Sequence, residues 1–369
     1  MGLGEKKALV NKYVSQGLST TQALRIVRVT RHQYYYKQTN GKPGRMPSNT
    51  TLKYFGNQVV EVFNDQVVED IKKLKSDPDL NGGYKSATFH LNGEGYIINK
   101  KKTRRLMSNH CLLSSSIPKH KKNYAMYRKV VPNGPFEVLE MDIKMVWIER
   151  DRRHALILNV LDTFTRRWLY RDEAFSITKH KVKQAWEDII LNHLQPNDCL
   201  QKGVHIEIRN DNDPRFSAQI IQDFFKENYL NQVFTHPYTP EENGHIESFH
   251  GILSKHLSRY VYWTIEELTA DLDVFMDKYN NVRQHTQIAH LSPNDFDQLW
   301  NNQLIEVQTS TNKKRKTFKL KIPRHQVKNI TGNNEPEGSS LHRFEPLDGA
   351  TNRNKGASDL TPAPSQLTV

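Results

Sequence analysis

The feature that most constrains the fold is the apolar run ALILNVL at residues 155–161. A short, almost continuous apolar segment is typical of a central β-strand that is covered on both faces. Just before it, Leu139, Met141, Ile143 and Met145 alternate with polar residues, as in a strand with two unlike faces. These two segments therefore predict the first strands of a sheet.

Helical and strand patterns alternate after this pair. The apolar periods predict strands at 165–170 and 204–208 and helices at 178–194, 217–228, 241–257 and 265–280. Strands that are followed by alternating helices and strands indicate an α/β domain. We place this domain at residues 135–301.

Charge is distributed unevenly along the 369 residues. The net charge is +13, but residues 137–300 carry −8 and the remainder carries +21. Two stretches, 95–136 with ten Lys or Arg residues and 307–334 with eight, contain no acidic residue. A single basic run is usually a solvated tail, but two runs that flank an acid-bearing centre favour the binding of nucleic acid.

Residues 1–38 are predicted to form a small helix-turn-helix-like unit. Two helical patterns surround a break at Gly17, and Thr30 can cap a third helix whose first turn carries Arg31. A plain three-helix bundle is the alternative, but the basic residues around Arg31 favour contact with DNA. Residues 39–57, rich in Gly, Pro and Asn, are predicted to be a linker.

Residues 58–113 are predicted to form a second helical DNA-binding unit. A helical period runs from Val59 to Leu74, and Asn99 can cap a final helix. That helix is strongly basic, with Lys100, Lys101, Lys102, Arg104 and Arg105. It could be an ordinary charged surface helix, but an acid-free linker at 114–134, which carries Lys119, Lys121 and Lys122, follows it and favours DNA binding.

The remaining composition excludes several classes of protein. Cys111 and Cys199 are far apart and lack a CxxC partner, which argues against a disulfide framework and a cysteine-based zinc site. No apolar run approaches the length of a membrane span and no secretory leader is present, so we expect a soluble protein of the cytoplasm. Residues 302–369 are predicted to be a basic and largely disordered tail, within which 313–322 could form one strand.

Three acidic residues are candidates for a metal site. Asp142 is on the first strand, Asp211 follows the fourth, and Glu247 is on a later helix, where we expect it beside the apolar core rather than in solvent. Ligands gather at the carboxyl ends of strands in α/β sheets, and ligation by oxygen alone suits Mg²⁺ or Mn²⁺. Spacing alone leaves other acids open as competitors, namely Glu140, Asp162, Asp213 and Glu242.

A resemblance to a known family selects among these acids. The segments IEIRNDNDPRF and HPYTPEENGHIESFHGILSKHL resemble the second half of the DDE integrase core, whose last two acids are separated by 35 residues, as are Asp211 and Glu247. FEVLEMDIKMVW resembles the first half and assigns Asp142 as the first acid. Within this family, the chain most resembles the OrfB-type transposases of bacterial insertion sequences, and its N-terminal helical units also resemble theirs.

The resemblance implies a ribonuclease H-like core, a mixed sheet with helices on both faces, preceded by small all-α helix-turn-helix units. It implies transposition: Asp142, Asp211 and Glu247 would hold two Mg²⁺ or Mn²⁺ ions, and the protein would cut the DNA at the element's ends and join it to a target. Partners would be double-stranded DNA and further copies of the chain. Residues expected near DNA, beyond those above, are Lys85, His236, Asn243 and Lys255.

Two features of the sequence keep other functions open. The family usually has Asn-Gly after the second Asp, but this chain has Asn212 and Asp213, and the basic residue expected seven positions after Glu247 is Ser254. The alternatives are a DNA-binding repressor with an inactive core and a ribonuclease H-like nuclease that does not transfer strands.

Overall fold

The structure, a computed structural model, describes residues 2–36, 47–80, 82–114, 130–235, 243–310 and 315–332. The predictions for Lys119, Lys121, Lys122, His236 and Glu242, and for a disordered tail after Gly332, lie outside these ranges. The chain divides into two compact units, Met1–Asn49 and Thr50–Val369, and each is described by itself.

The first unit contains the three predicted helices, α1 (Leu3–Ser15), α2 (Thr20–Val27) and α3 (Arg31–Tyr35). The hydroxyl of Thr30 accepts a hydrogen bond from the N–H of Gln33 at 3.2 Å, so Thr30 caps α3 as predicted. The helices enclose a small core of Val10, Ala23, Leu24, Val27 and Val29.

The second unit begins with a sheet that the sequence analysis missed. Its elements are β1 (Thr50–Phe55), β2 (Gln58–Phe63), α4 (Asn64–Ser76), α5 (Tyr84–Gly93), β3 (Tyr96–Ile97) and α6 (Lys100–Asn109), with strand order β2-β1-β3. The prediction of a helix from Val59 is wrong for its first turn, which belongs to β2. The predicted linker at 39–57 is too long, because β1 begins at Thr50. The prediction of an all-α unit is wrong for this region, because it contains a three-stranded sheet. Gly56 and Asn57 form a two-residue hairpin loop, and the adjacent β-branched residues favour a strand.

The predicted α/β domain is confirmed as a five-stranded mixed sheet of order β6-β5-β4-β7-β8. The strands are β4 (Val138–Ile148), β5 (Arg153–Asp162), β6 (Trp168–Ala174), β7 (Ile206–Asn210) and β8 (Leu230–Phe234). β4, β5 and β6 are antiparallel, whereas β7 is parallel to β4 and β8 is parallel to β7. This order and these directions define a ribonuclease H-like sheet.

Helices cover both faces of this sheet. One face packs against α7 (Lys179–Ile189), which continues as a π-helical turn (Ile190–Leu194), and against α8 (Gln219–Glu227). The other face packs against α9 (Gly244–Leu257) and α10 (Ile265–Asn281), and α11 (Pro293–Asn301) follows. The two apolar cores on either side explain why the segment at β5 is almost continuously apolar.

Residues 302–310 and 315–332 are not a disordered tail, contrary to the sequence-based expectation. They form β9 (Ile305–Ser310), β10 (Arg315–Leu320), a 3-10 turn (Arg324–Gln326) and α12 (Val327–Thr331). β9 and β10 pair as an antiparallel hairpin. Phe318 packs with its ring centroid 5.4 Å from that of Phe164 and 5.0 Å from that of Phe296, so the hairpin closes the core of the α/β domain.

The loop after α4, which belongs to the same unit as α9, also helps to position α9. Asp79, only 8% exposed, accepts a hydrogen bond from Arg259, and its Oδ2 lies 3.2 Å from Nδ1 of His256. Nε2 of His256 lies 2.8 Å from Oδ2 of Asp271 on α10, and Lys278 lies 3.7 Å from Asp79. The ion pairs of this buried cluster link residues 77–79 to the C-terminal half of α9.

We expect Phe318→Ala to lower the free energy of unfolding by about 2 kcal/mol, below the range for a fully buried Phe because Phe318 is half-buried. Denaturant melts measure the change. Val307→Ala on the same hairpin, where the side chain is exposed, is the control and should change stability by less than about 0.5 kcal/mol. Equal stability of the Phe318 variant and wild type would contradict the packing of the hairpin on the core.

The charge cluster makes stability depend on pH in a defined direction. Burial lowers the pKa of His256, but hydrogen bonds to Asp271 and Asp79 outweigh it and raise the pKa overall. The contribution of charged His256 to the free energy of unfolding is therefore complete below about pH 6.5, the ordinary pKa of histidine. It is lost as the pH rises through the pKa of His256 in the folded protein. Burial raises the pKa of Asp79, but His256 and Arg259 outweigh it and lower it, so this contribution is lost only in strong acid.

We expect the difference in melting temperature between wild type and His256→Gln to be largest near pH 6 and to shrink as the pH is raised to 9. Thermal melts across this range measure the difference, with His180→Gln as a control because His180 is exposed at the start of α7. A difference that does not change with pH would contradict a charged His256 in the folded protein.

Candidate active site

Helix α9 lies along strand β4 in a regular register. Ile246 meets Glu140, His250 meets Asp142, and Ser254 lines a common groove with Lys144. Four residues of an α-helix rise about 6.0 Å and two residues of a strand about 6.6 Å, so the two elements stay in step. Alternate residues of β4 therefore each face one turn of α9.

Glu140 anchors the N-terminus of α9. Its side chain is fully buried, and Oε2 accepts a hydrogen bond from the N–H of Ile246 at 2.6 Å. A carboxylate at this position satisfies a free N–H of the first helical turn. Burial raises the pKa of Glu140 to about 7, although the hydrogen bond from Ile246 acts in the opposite direction. Glu140 thus holds the helix.

Two other competing acids also have structural partners. Asp162 is fully buried and accepts hydrogen bonds from the N–H groups of Phe164 and Thr165 at 3.1 and 3.2 Å, which fix the turn after β5. Asp213 forms a two-bond ion pair with Arg215, which lowers the pKa of Asp213. The extra negative charge beside Asp211 is therefore offset within the loop.

The structure brings Asp142 and Asp211 together. β4 and β7 are parallel neighbours, paired over residues 138–140 and 207–209, and Asp211 follows directly at the carboxyl end of β7. Burial and the negative charge of Asp142 both raise the pKa of Asp211. The negative charge of Asp142 thus disfavours the ionised form of Asp211, and a bound cation would relieve this.

Glu247 is in the first turn of α9, one turn before His250. The expectation that it lies beside the core is wrong: its side chain is exposed, whereas Ile246 points into the core. Within the described ranges, no three His, Cys, Asp or Glu side chains lie together as a metal-binding group. The complete set of Asp142, Asp211 and Glu247 therefore stays a prediction.

His250 and Asn159 also belong to this site, and the sequence analysis missed both. Nδ1 of His250 lies 3.3 Å from Oδ2 of Asp142, and Nε2 lies 3.2 Å from Nδ2 of Asn159. Only two signals in the sequence could have pointed to them. His250 is one helical turn after Glu247, and Asn159 is the one polar residue in the apolar run 155–161.

Most of the predicted DNA-binding residues that the structure describes are on the surface. The exposed side chains are those of Arg31, Lys85, Lys100, Lys101, Arg104 and Lys255. Lys102 and Arg105 are half-buried, and Lys102 donates a hydrogen bond to the carbonyl oxygen of Thr50. Asn243 is buried at the start of α9. Their contacts with DNA stay predictions.

Comparison with known proteins identifies part of this region. The integrase core domain family matches residues 228–293, which include α9. An uncharacterised 39.2 kDa protein of insertion element IS476 from Xanthomonas euvesicatoria is 25% identical over 219 residues, 58% of this chain and 60% of that protein. An uncharacterised 31.7 kDa protein of insertion element IS407 from Burkholderia multivorans is 24% identical over 167 residues, 45% of this chain and 57% of that protein. The chain thus matches less than two thirds of either relative.

Similar solved structures include integrase and transposase domains. The catalytic core domain of BIV integrase is 17% identical, covers 46% of this chain and 97% of that chain, and has a TM-score of 0.34. The catalytic domain of the Mos1 mariner transposase is 14% identical, covers 38% of this chain and 70% of that chain, and also has a TM-score of 0.34. Because these scores are low, the fold is assigned from the strand order alone.

In the part of the chain that the structure describes, no helix is both long enough and apolar enough to cross a bilayer.

We expect Mn²⁺ to raise the melting temperature of wild type and to leave that of Asp211→Asn unchanged. At a concentration 100 times the dissociation constant, binding stabilises the folded state by about 2.7 kcal/mol. Without metal, Asp211→Asn should melt no lower than wild type, because folding raises the pKa of Asp211 and so disfavours its charged form at neutral pH.

The matched control for this experiment is Asp213→Asn. Arg215 lowers the pKa of Asp213, so this variant should melt lower than wild type in chelator and should keep the shift caused by Mn²⁺. An equal Mn²⁺ shift in wild type and Asp211→Asn would contradict a metal-binding role for Asp211.

Proposed function

We propose that this chain, a member of the integrase superfamily, is the transposase of a bacterial insertion sequence. It would bind the ends of the mobile element, hydrolyse a phosphodiester there, and use the freed 3′-OH to attack a phosphodiester of the target DNA. The observation that carries the proposal is that Asp142 on β4 and Asp211, which directly follows the neighbouring strand β7, are close enough for the charge of Asp142 to raise the pKa of Asp211. The match to the integrase core domain over α9 supports it.

The residues at this edge fit a divalent metal. Asp142 and Asp211 offer only oxygen donors, which suits Mg²⁺ or Mn²⁺, and their mutual repulsion would fall on binding a cation. The exposed carboxylate of Glu247 would complete one of two sites. When bound, two such ions activate an attacking oxygen and stabilise a leaving oxygen at a phosphodiester.

The rest of the chain would hold the DNA. Glu140 keeps α9 in register with β4, and this register would present Glu247 to the site. The exposed cations of α6, Lys100, Lys101 and Arg104, would bind backbone phosphates, and Arg31 on α3 would contact the element's end. Because two ends must be processed together, we propose that the protein works as a dimer or larger assembly on the DNA of the bacterial cytoplasm.

We expect Glu247→Gln to abolish both cutting and joining while leaving DNA affinity unchanged. The assay uses labelled duplexes with the sequences that flank the gene, a target plasmid and Mn²⁺, and binding is measured by gel shift at fixed salt. Glu227→Gln, an exposed Glu at the end of α8, is the control and should retain full activity.

The outcomes separate the candidate functions. Cutting without joining by the wild type would favour a nuclease, and binding with neither activity would favour a repressor. Full cutting and joining by Glu247→Gln would overturn the assignment of Glu247 as the third metal-binding acid.

A further inference from the structure

The side chain of His250 connects two strands of the sheet. On one side it meets Asp142 of β4 at 3.3 Å, and on the other it meets Asn159 of β5 at 3.2 Å. Asp142 and Asn159 are direct partners in the β4–β5 pairing, so both point toward the same side of α9. Asn159 is fully buried, and the side chain of His250 is 12% exposed.

The amide of Asn159 decides which ring nitrogen of His250 carries the proton. Nδ2 of Asn159 also donates to the carbonyl oxygen of Ile157 at 3.0 Å, and the reverse amide orientation would set two oxygens against each other. The amide nitrogen therefore faces His250, and Nε2 of the neutral imidazole accepts its hydrogen bond. The ring proton is then on Nδ1, which faces Oδ2 of Asp142 at 3.3 Å.

The arrangement leaves an unsatisfied polar atom. Oδ1 of Asn159 is buried and has no hydrogen-bond partner in the part of the chain that the structure describes. Such an atom costs roughly 1–3 kcal/mol of stability. An apolar residue in this apolar strand would avoid that cost, so the contact between Asn159 and His250 requires a reason other than stability.

We propose that His250 is a positioning residue for metal binding: it holds the carboxylate of Asp142 in one orientation, and Asn159 holds His250 in the tautomer that does so. The inference rests on the proposed function, because it requires that Asp142 binds the metal. Metal-binding carboxylates are usually fixed by a hydrogen bond from a neighbouring group, and loss of that group typically weakens metal affinity 10–100-fold.

The test is calorimetric titration of the full chain with Mn²⁺ alone, without DNA. His250→Ala should weaken binding by about tenfold or more. His250→Asn should bind within about threefold of wild type, because its amide N–H can take the position of Nδ1. Asn159→Leu should also weaken binding, because the ring is then free to adopt the other tautomer.

A second measurement distinguishes positioning from a structural role. Melting temperatures in chelator should be similar for His250→Ala and His250→Asn, so stability alone could not explain different Mn²⁺ affinities. Ser254→Ala is the matched control, one turn further along the same face of α9, where the hydroxyl donates only to the carbonyl oxygen of His250. It should bind Mn²⁺ as wild type does.

Each remaining outcome overturns a stated claim. If Asp142→Asn loses Mn²⁺ binding but His250→Ala does not, the positioning role is wrong and the proposed function stands. If both His250 variants lose binding equally, His250 is itself a metal ligand and the positioning role is again wrong. If Asp142→Asn binds Mn²⁺ as wild type does, the metal site of the proposed function fails.

Discussion

The hydrogen bond from the N–H of Ile246 to the buried carboxylate of Glu140 is the contact on which the site depends. It fixes both the height and the rotation of α9 against β4. Because helix and strand advance in step, this one contact also sets His250 above Asp142 one turn later. It links β4, which carries Asp142, to α9, which carries the proposed third acid, Glu247.

The other end of α9 is held by a different kind of interaction. His256 and Arg259 bind the buried carboxylate of Asp79, which belongs to the loop after α4. Helix α9 therefore contacts both the sheet and the region that contains the basic helix α6. Burying an ion cluster costs desolvation energy and requires close to complete pairing, which His256 meets with a carboxylate on each ring nitrogen.

Local signals explain how much was predictable from the sequence. The strand that carries Asp142, the strand that ends just before Asp211, and the caps at Thr30 and Asn99 follow from short-range periodicity and side-chain chemistry. The β1–β2 hairpin was missed because its β-branched residues also fit a helical period, and only the loop at Gly56 marks the turn. His250 and Asn159 are 91 residues apart, so no local pattern could join them. The exposure of Glu247 likewise depends on how α9 is rotated, which Glu140 sets from over 100 residues away.

The central claim is that Asp142 and Asp211 form a divalent metal site, and anomalous diffraction from crystals soaked in Mn²⁺ tests it most directly. The claim predicts anomalous density at about 2.1 Å from carboxylate oxygens of both residues, with Glu247 turned toward one ion. Mn²⁺ bound elsewhere, or no ordered Mn²⁺ between these two carboxylates at saturating concentration, would contradict it.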